Sequence, residues 1–415
     1  MFKPKANRYS KTWRFQYGAA KSFLLTFGKD NEPHVKVVIG KNTICATDRH
    51  VHVGVPVCSS RMAEKKAIAE RMSASKQMYN TIQALSPPPV LLNPAILSKL
   101  YWSLCVPKMT YGMEVWPICR QNTIAMEKSH NQVAKCIQGL PEQTSDPACH
   151  ATLGWGTIEA HVDAVSLMFL WQLLSLPVYC VYNQIVINRV TDFRFSRRIV
   201  NPGFPSPVGN LYQIAAKYGL TELVHNMLDT GHIPARNKWR SIVNQAVKDL
   251  QAARWQMSCL MYNYKKLTNF MVLVPETFLC QWWVVCKSRP DLTRKCKVVI
   301  AIITGEHNLG CGKGRFSNNS KLCQLCDSYV EETIAHFLLE CKGVQACRAT
   351  LLSQVWDVMP PVMVESVACM TCKRQSEFLL GEMGRVRVPE WCAIHQAIIV
   401  LVHDLYKARG SLLSE

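Results

Sequence analysis

Acidic residues are in short supply. Over 415 residues, 29 Asp and Glu face 48 Lys and Arg, for a formal charge of +19. A chain so unbalanced attracts polyanions and repels cations. Nucleic acid is the first expected partner, a membrane surface the second, and charge that merely keeps the chain soluble the third. No Gly-Lys-Ser/Thr tripeptide occurs, which argues against a nucleotide P-loop. The Met1-Phe-Lys-Pro-Lys start has no apolar run behind it, so no secretory leader is expected, and the expected placement is intracellular, in nucleus or cytoplasm. No internal repeat shows. The 19 cysteines are odd in number and irregularly spaced, which argues against a disulfide framework and for a reducing compartment. Charge is absent from Ala164 to Asn188, long enough to cross a bilayer, yet Gln172, Pro177, Asn183 and Gln184 interrupt it. A buried helix followed, after Pro177, by a β-branched strand is expected there, with no membrane partner.

Apolar side chains are plentiful, at 48%, so real cores are expected in two or three domains. The strongest chemical statement is Cys323-Gln324-Leu325-Cys326, followed by His336 and Cys341. Two thiols, an imidazole and a third thiol can close tetrahedrally around one zinc ion. With 19 cysteines, about one C-x2-C pair arises by chance, so the pair alone says little. Its surroundings say more. Asn318, Asn319 and Ser320 supply a turn-rich approach, and Thr333 to Leu339 reads as a helix whose apolar side chains cover a metal. All four positions being protein ligands, the zinc would be structural. A second pair, Cys369 and Cys372, has no His or Cys following for about twenty residues and reads as reduced thiols.

The pattern predicts a mainly α protein with a small β-rich N-terminal part. After a leading helix, Ser22 to Phe27, Val35 to Ile39 and Val51 to Val55 read as short strands. From Arg61 one long helix runs to the break at Pro87-Pro88-Pro89, with Met62, Ala69 and Met72 at helical spacing. Pro94 opens the next, Ala95 to Val106, with Ile96, Leu97, Leu100 and Leu104 as its apolar face and Lys99 and Lys108 at the polar edge. Residues 201–210, with three prolines and two glycines, read as a linker. Helices are expected over Leu211 to Leu228 and Ile242 to Leu267, with a basic knot of Arg236, Lys238, Trp239 and Arg240 before the second. Lys287, Arg289, Arg294, Lys295 and Lys297, then Lys313, Arg315 and Lys321 after a glycine-rich link, make the approach to the cysteines the most basic part of the chain, and with Lys99 and Lys108 they are the expected nucleic-acid-binding residues. Helices close the chain around Ala349 to Val358 and Trp391 to Tyr406; in the latter Ile394, Ile398, Leu401, Val402 and Leu405 share a face flanked by His395 and His403.

Three groups of residues carry a resemblance. Trp13-Arg14-Phe15 with Ala19-Ala20-Lys21-Ser22 and Val53-Gly54-Val55 come first. Leu100-Tyr101, Val106-Pro107-Lys108, Tyr111 to Trp116, Gly139-Leu140-Pro141 and Leu153-Gly154-Trp155 with Ile158-Glu159-Ala160 follow. Ile303-Thr304-Gly305, His307, Arg315-Phe316, the Cys3His set, Glu332-Thr333 and Arg348 complete them. In this order they resemble the end of the palm, the helical thumb and the zinc-binding module of LINE-type non-LTR retrotransposon reverse transcriptases. The sequence departs from that family at Tyr17-Gly18, where an Asn is usual, and at His52-Val53, where Tyr-Leu is usual.

The resemblance implies five regions: 1–58 a palm remnant, 59–200 a helical thumb, 201–290 a linker and helical connector, 291–360 the zinc module and 361–415 a helical tail. It implies that Lys21 lies near the incoming triphosphate and that Val53 and Gly54 lie near the primer end. Polymerase chemistry needs clustered aspartates holding two Mg2+ ions, and no Asp-Asp dipeptide occurs. Mg2+ is therefore expected only in a full-length polymerase, and this chain is expected to be inactive alone. Its partners are expected to be RNA or DNA, with the remainder of a retroelement polyprotein as a further candidate. The alternative is a host-adopted zinc-dependent adaptor for nucleic acid or protein.

Overall fold

The computed structural model describes residues 3–15, 18, 22–26, 36–39, 42–59, 61–85, 92–115, 119–195, 207–261, 281–310, 321–326, 328–381 and 391–414. Lys21, Lys313, Arg315 and the turn at Asn318 to Ser320 lie outside them. The fold is mainly helical, and among the described residues the strands lie in the N-terminal part.

Helix α1 (Lys3–Thr12) leads into β1 (Leu24–Leu25), β2 (Lys36–Ile39) and β3 (Asn42–Thr47), with β3 between the others, parallel to β1 and antiparallel to β2. The expected third strand is instead a hairpin: β4 (Arg49–His52) pairs antiparallel with β5 (Val55–Cys58), and His52 faces Val55 across the turn Val53-Gly54. Both turn residues have positive φ, 49° and 76°, the backbone of a two-residue hairpin turn that matches strand twist. Gly54 meets that demand without strain, but β-branched Val53 does not. Three outside contacts hold the turn. Tyr111 donates its hydroxyl to Val53 O (3.3 Å), Arg71 donates to Gly54 O (2.8 Å), and Arg71 also bonds Tyr111 O. Lys21 being outside the described residues, its expected nearness to Val53 and Gly54 has no counterpart in the structure described.

The long helix α2 (Arg61–Leu85) forms as expected, but its inward face is Ala67, Ile68, Ser75, Tyr79 and Ile82, while Ala69 is exposed. The next stretch departs further. Helix α3 (Pro94–Leu100), capped by Asn93 Oδ1 on Ala95 N–H (2.8 Å), passes through a π-helical turn at Tyr101–Cys105 into α4 (Val106–Thr110). The wider turn shifts the periodicity. Leu97, Tyr101, Cys105, Val106 and Met109 therefore point inward, and Ile96 and Leu104, placed on the apolar face by 3.6-residue spacing, face solvent.

Helices α5 (Arg120–Gln138), α6 (Asp146–Leu153) and α7 (Ile158–Leu174) follow, and the segment after Pro177 is a helix, α8 (Val181–Phe195), where a strand was expected. No helix among the described residues is long and apolar enough to cross a membrane. Beyond the proline-rich stretch come α9 (Pro207–Lys217), α10 (Thr221–Thr230) and α11 (Arg236–Met261). The single helix expected over Leu211 to Leu228 is broken by Tyr218-Gly219-Leu220, and the basic knot at Arg236 opens α11. Trp239 in that knot is fully buried and donates to Leu167 O (2.9 Å), so it is a core anchor. Short α12 (Gln281–Val285), then α13 (Thr293–Ile303), α14 (Gln345–Asp357), α15 (Pro361–Ala368), α16 (Cys372–Leu380) and α17 (Trp391–Leu412) complete the order.

Two apolar cores organise these elements. The first joins α2 to α6 and the start of α7 with α12 to α17, so residues such as Met126 and Ile137 pack in one cluster with Val299 and Leu401. Polar pins cross it: Asn93 donates to Trp283 O (3.0 Å) and Trp283 to Gln138 Oε1 (3.4 Å). The second core gathers the rest of α7 with α8 to α11. Residues 207–210 of the expected linker already belong to α9, and the helices on both sides of 201–206 share this core. Helix α7 belongs to both cores and is their joint.

Candidate metal centre

Cys323 to Cys341 fold into a short hairpin followed by one irregular turn. An isolated antiparallel bridge, Leu322 to Glu331, sets the register. Cys323 N–H donates to Val330 O and Glu332 N–H to Lys321 O, both at 2.9 Å. The Thr333 hydroxyl then accepts from His336 N–H (3.1 Å), starting the turn His336–Glu340, whose π-helical width brings Cys341 N–H to His336 O (2.7 Å). An ordinary helix was expected here; the wider turn carries His336 and Cys341 to the same side as Cys323 and Cys326.

One ligand atom from each of the four residues lies within 4.8 Å of every other. The sulfurs of Cys323 and Cys341 are 3.7 Å apart, and Cys326 Sγ lies 3.5 Å from His336 Nε2. With Zn–S near 2.3 Å and Zn–N near 2.0–2.1 Å, a tetrahedral ion sets such pairs about 3.8 Å and about 3.5 Å apart. The group can therefore hold a metal ion, and its dimensions are compatible with zinc. Cys323, His336 and Cys341 are buried and Cys326 is half-buried, with Phe337 and Leu338 closing the apolar side. Burial pushes the Cys323 thiol up to about 12, while the Ser328 hydroxyl pulls Cys326 down to about 6. An ion that takes thiolates from such a set must displace protons.

The surroundings hold the ligands in place. The second ring nitrogen of His336 faces Glu340, 3.6 Å from its Oε2, the kind of outer partner that fixes an imidazole ligand. Arg348 donates to Cys341 O (2.6 Å). Glu332 is buried and clasped by Arg409 of α17 through two bonds, 2.5 and 2.7 Å, and also accepts from Gly310 N–H (2.6 Å). Gly343 has no room for a side chain, since a Cβ there would lie 2.3 Å from Leu325 O, inside the Cys-x2-Cys loop. Neither Arg409 nor Gly343 stands out in sequence: the ion pair spans 77 residues, and only the Cys341-x-Gly343 spacing hints at the glycine. Cys369 and Cys372 belong to no metal-ligand group among the described residues. They sit on either side of Thr371, whose hydroxyl caps α16.

The ten basic residues marked out by sequence fare differently. Lys99, Lys108, Lys287, Arg294 and Lys321 are exposed and make no ion pair among the described residues. Arg289 is tied to Asp291 (2.7 Å) and Lys295 to Asp404 (3.1 Å). Lys297 lies half-buried against Gly139, and burial lowers its pKa. Gly310 abuts Lys321 O, so this part of the glycine-rich link serves packing. His395 is buried, its Nδ1 2.8 Å from Trp391 O.

A cleft of about 1470 Å3 opens between α5, α6, α7, α9 and α11. Its charges largely neutralise one another: Lys135 meets Asp146 (2.6 Å), Lys217 meets Glu159 (2.9 Å) and Asp163 (2.5 Å), and Arg254 meets Glu159 (2.9 Å). Such a lining holds helices together and leaves little net charge for phosphate.

No protein-family model, no curated protein and no solved structure matches this chain.

Proposed function

We propose that the chain is the C-terminal part of a retrotransposon-type reverse transcriptase that binds RNA or DNA through exposed lysines and arginines, and that Cys323, Cys326, His336 and Cys341 hold one structural zinc ion. The observation that supports it most is the ligand set itself, with spacings suited to zinc and an exposed basic side chain, Lys321, on the same hairpin. Four protein ligands leave no position for water, so the metal clips the fold and performs no hydrolysis. Polymerisation is assigned to aspartates that this sequence does not supply as a pair.

Filter binding across a salt series tests the partner. If Lys99, Lys108, Lys287, Arg294 and Lys321 each neutralise one phosphate, log K falls against log salt with a slope of about −4 to −5 on duplex DNA. Flat or absent binding removes the nucleic-acid reading. Metal analysis of the purified chain tests the ion: one zinc per chain is expected, and none refutes the site.

A further inference from the structure

The tip between α7 and α8 is built inside out. Its polar side chain, Asn183, turns inward and donates to Leu173 O (3.2 Å) and Leu174 O (3.0 Å), while Gln184 reaches back to Val178 O (3.1 Å). The apolar side chains point the other way. Val178, Tyr179, Val181, Tyr182 and Ile185 are 74%, 85%, 63%, 67% and 47% exposed. Pro177 O accepts from Cys180 N–H and Cys180 O from Gln184 N–H, so turn and helix present these five as one continuous face. Together they offer on the order of 500–600 Å2 of apolar surface, the upper end of the largest patch a monomer ordinarily leaves bare and of a size that is often functional.

Charge narrows what covers this face. No charged side chain occurs between Asp163 and Arg189, in a molecule of net charge +19. The nearest charge along the helix, Arg189, lies one turn beyond Ile185 and 3.9 Å from Asp192, so phosphate or an anionic bilayer finds only a single, partly paired cation at the edge. A second copy of the chain is repelled nearly everywhere else by like charge, but not here. Two such faces meeting about a twofold axis bury about 1,000–1,200 Å2 in total, the low end of what a specific interface needs. We infer that the tip formed by Val178, Tyr179, Val181, Tyr182 and Ile185 is a homodimer interface, separate from the metal centre.

Sedimentation velocity of the nuclease-treated full chain, from about 1 to about 100 µM, reads the association directly. A reversible shift from the 47.0 kDa monomer to a species of twice that mass is expected. It should persist or strengthen as salt rises from about 0.15 to about 0.5 M, because salt screens the repulsion and leaves apolar burial intact. The double substitution Val178→Asp and Tyr182→Asp should weaken dimerisation at least about tenfold. Both side chains face solvent, so the melting temperature at low concentration should stay that of the parent, which separates lost association from lost folding. A wild-type chain that stays monomeric throughout overturns the inference, as does a dimer untouched by the two aspartates or one that dissolves with salt. A monomer that instead floats with zwitterionic phosphatidylcholine vesicles assigns the face to lipid and overturns it equally.

Discussion

Replacing Arg409 with Met isolates what holds the hairpin of the candidate metal centre to the body of the protein. The Glu332 and Arg409 side chains are 3% and 6% exposed and bond through two contacts of 2.5 and 2.7 Å. Arg409 also donates to Asn308 O (3.1 Å). The substitution keeps most of the aliphatic stem but strands the Glu332 carboxylate in the interior with Gly310 N–H as its remaining donor among the described residues. Breaking a buried pair on one side costs about 3–5 kcal/mol, most of it the penalty of an uncompensated charge. Removing both charges should cost far less, so Glu332→Gln combined with Arg409→Met should recover most of the loss. Urea unfolding of the parent, both single variants and the double variant closes the cycle, with zinc content measured on each. A single Arg409→Met variant within about 1 kcal/mol of the parent, or a double variant no better than the single, would refute the view that this pair matters because it is buried.

Cys326→Ser should abolish stoichiometric metal binding and unfold the hairpin locally, and full zinc retention by metal analysis would count against the ligand assignment. Gly343→Ala forces a methyl onto Leu325 O and should destabilise by about 2–3 kcal/mol; unchanged thermal unfolding and zinc content would contradict the close packing. Burial raises Glu127 from 4.5 to about 7, while its Oε1 accepts from Glu159 N–H (2.7 Å) at the start of α7. A carboxyl raised in the folded state contributes most stability below about 4.5 and loses it as pH rises through about 7, a change of about 3 kcal/mol at most. Glu127→Gln should therefore flatten the thermal-stability profile between pH 5 and about 8 and raise stability at the alkaline end; an unaltered profile would exclude Glu127 as its source.

Much of the helical plan was legible because it rests on local signals. Prolines marked where α2 stops and α3 starts, and the buried face of α17 holds Ile394, Ile398, Leu401, Val402 and Leu405 as its spacing predicts. Periodicity failed where the helix itself changes pitch, at Tyr101–Cys105, and where β-branched residues after Pro177 were drawn into a helix by packing against α9. The four residues that could hold a metal ion were readable from type and spacing. Their supports were not, because Glu332 with Arg409, and Gly343 with Leu325, are matters of which backbone passes where in three dimensions. Composition also overstated the basic approach: Arg289 and Lys295 each carry an acid partner invisible in linear sequence.

The division of the larger core between the two ends of the chain bears on how the protein is made. Helices α2 to α6 present apolar sides whose covering, from Trp282 onward, is about 120 residues beyond Val162. At about 5–20 residues per second, a ribosome takes about 6–24 seconds to deliver it. During that interval the second core, α7 to α11, can assemble from neighbours already at hand. Synthesis order thus reverses the usual sequence of growth: the outlying core closes first, and the main body waits for its far end, with exposed apolar surface that invites chaperones.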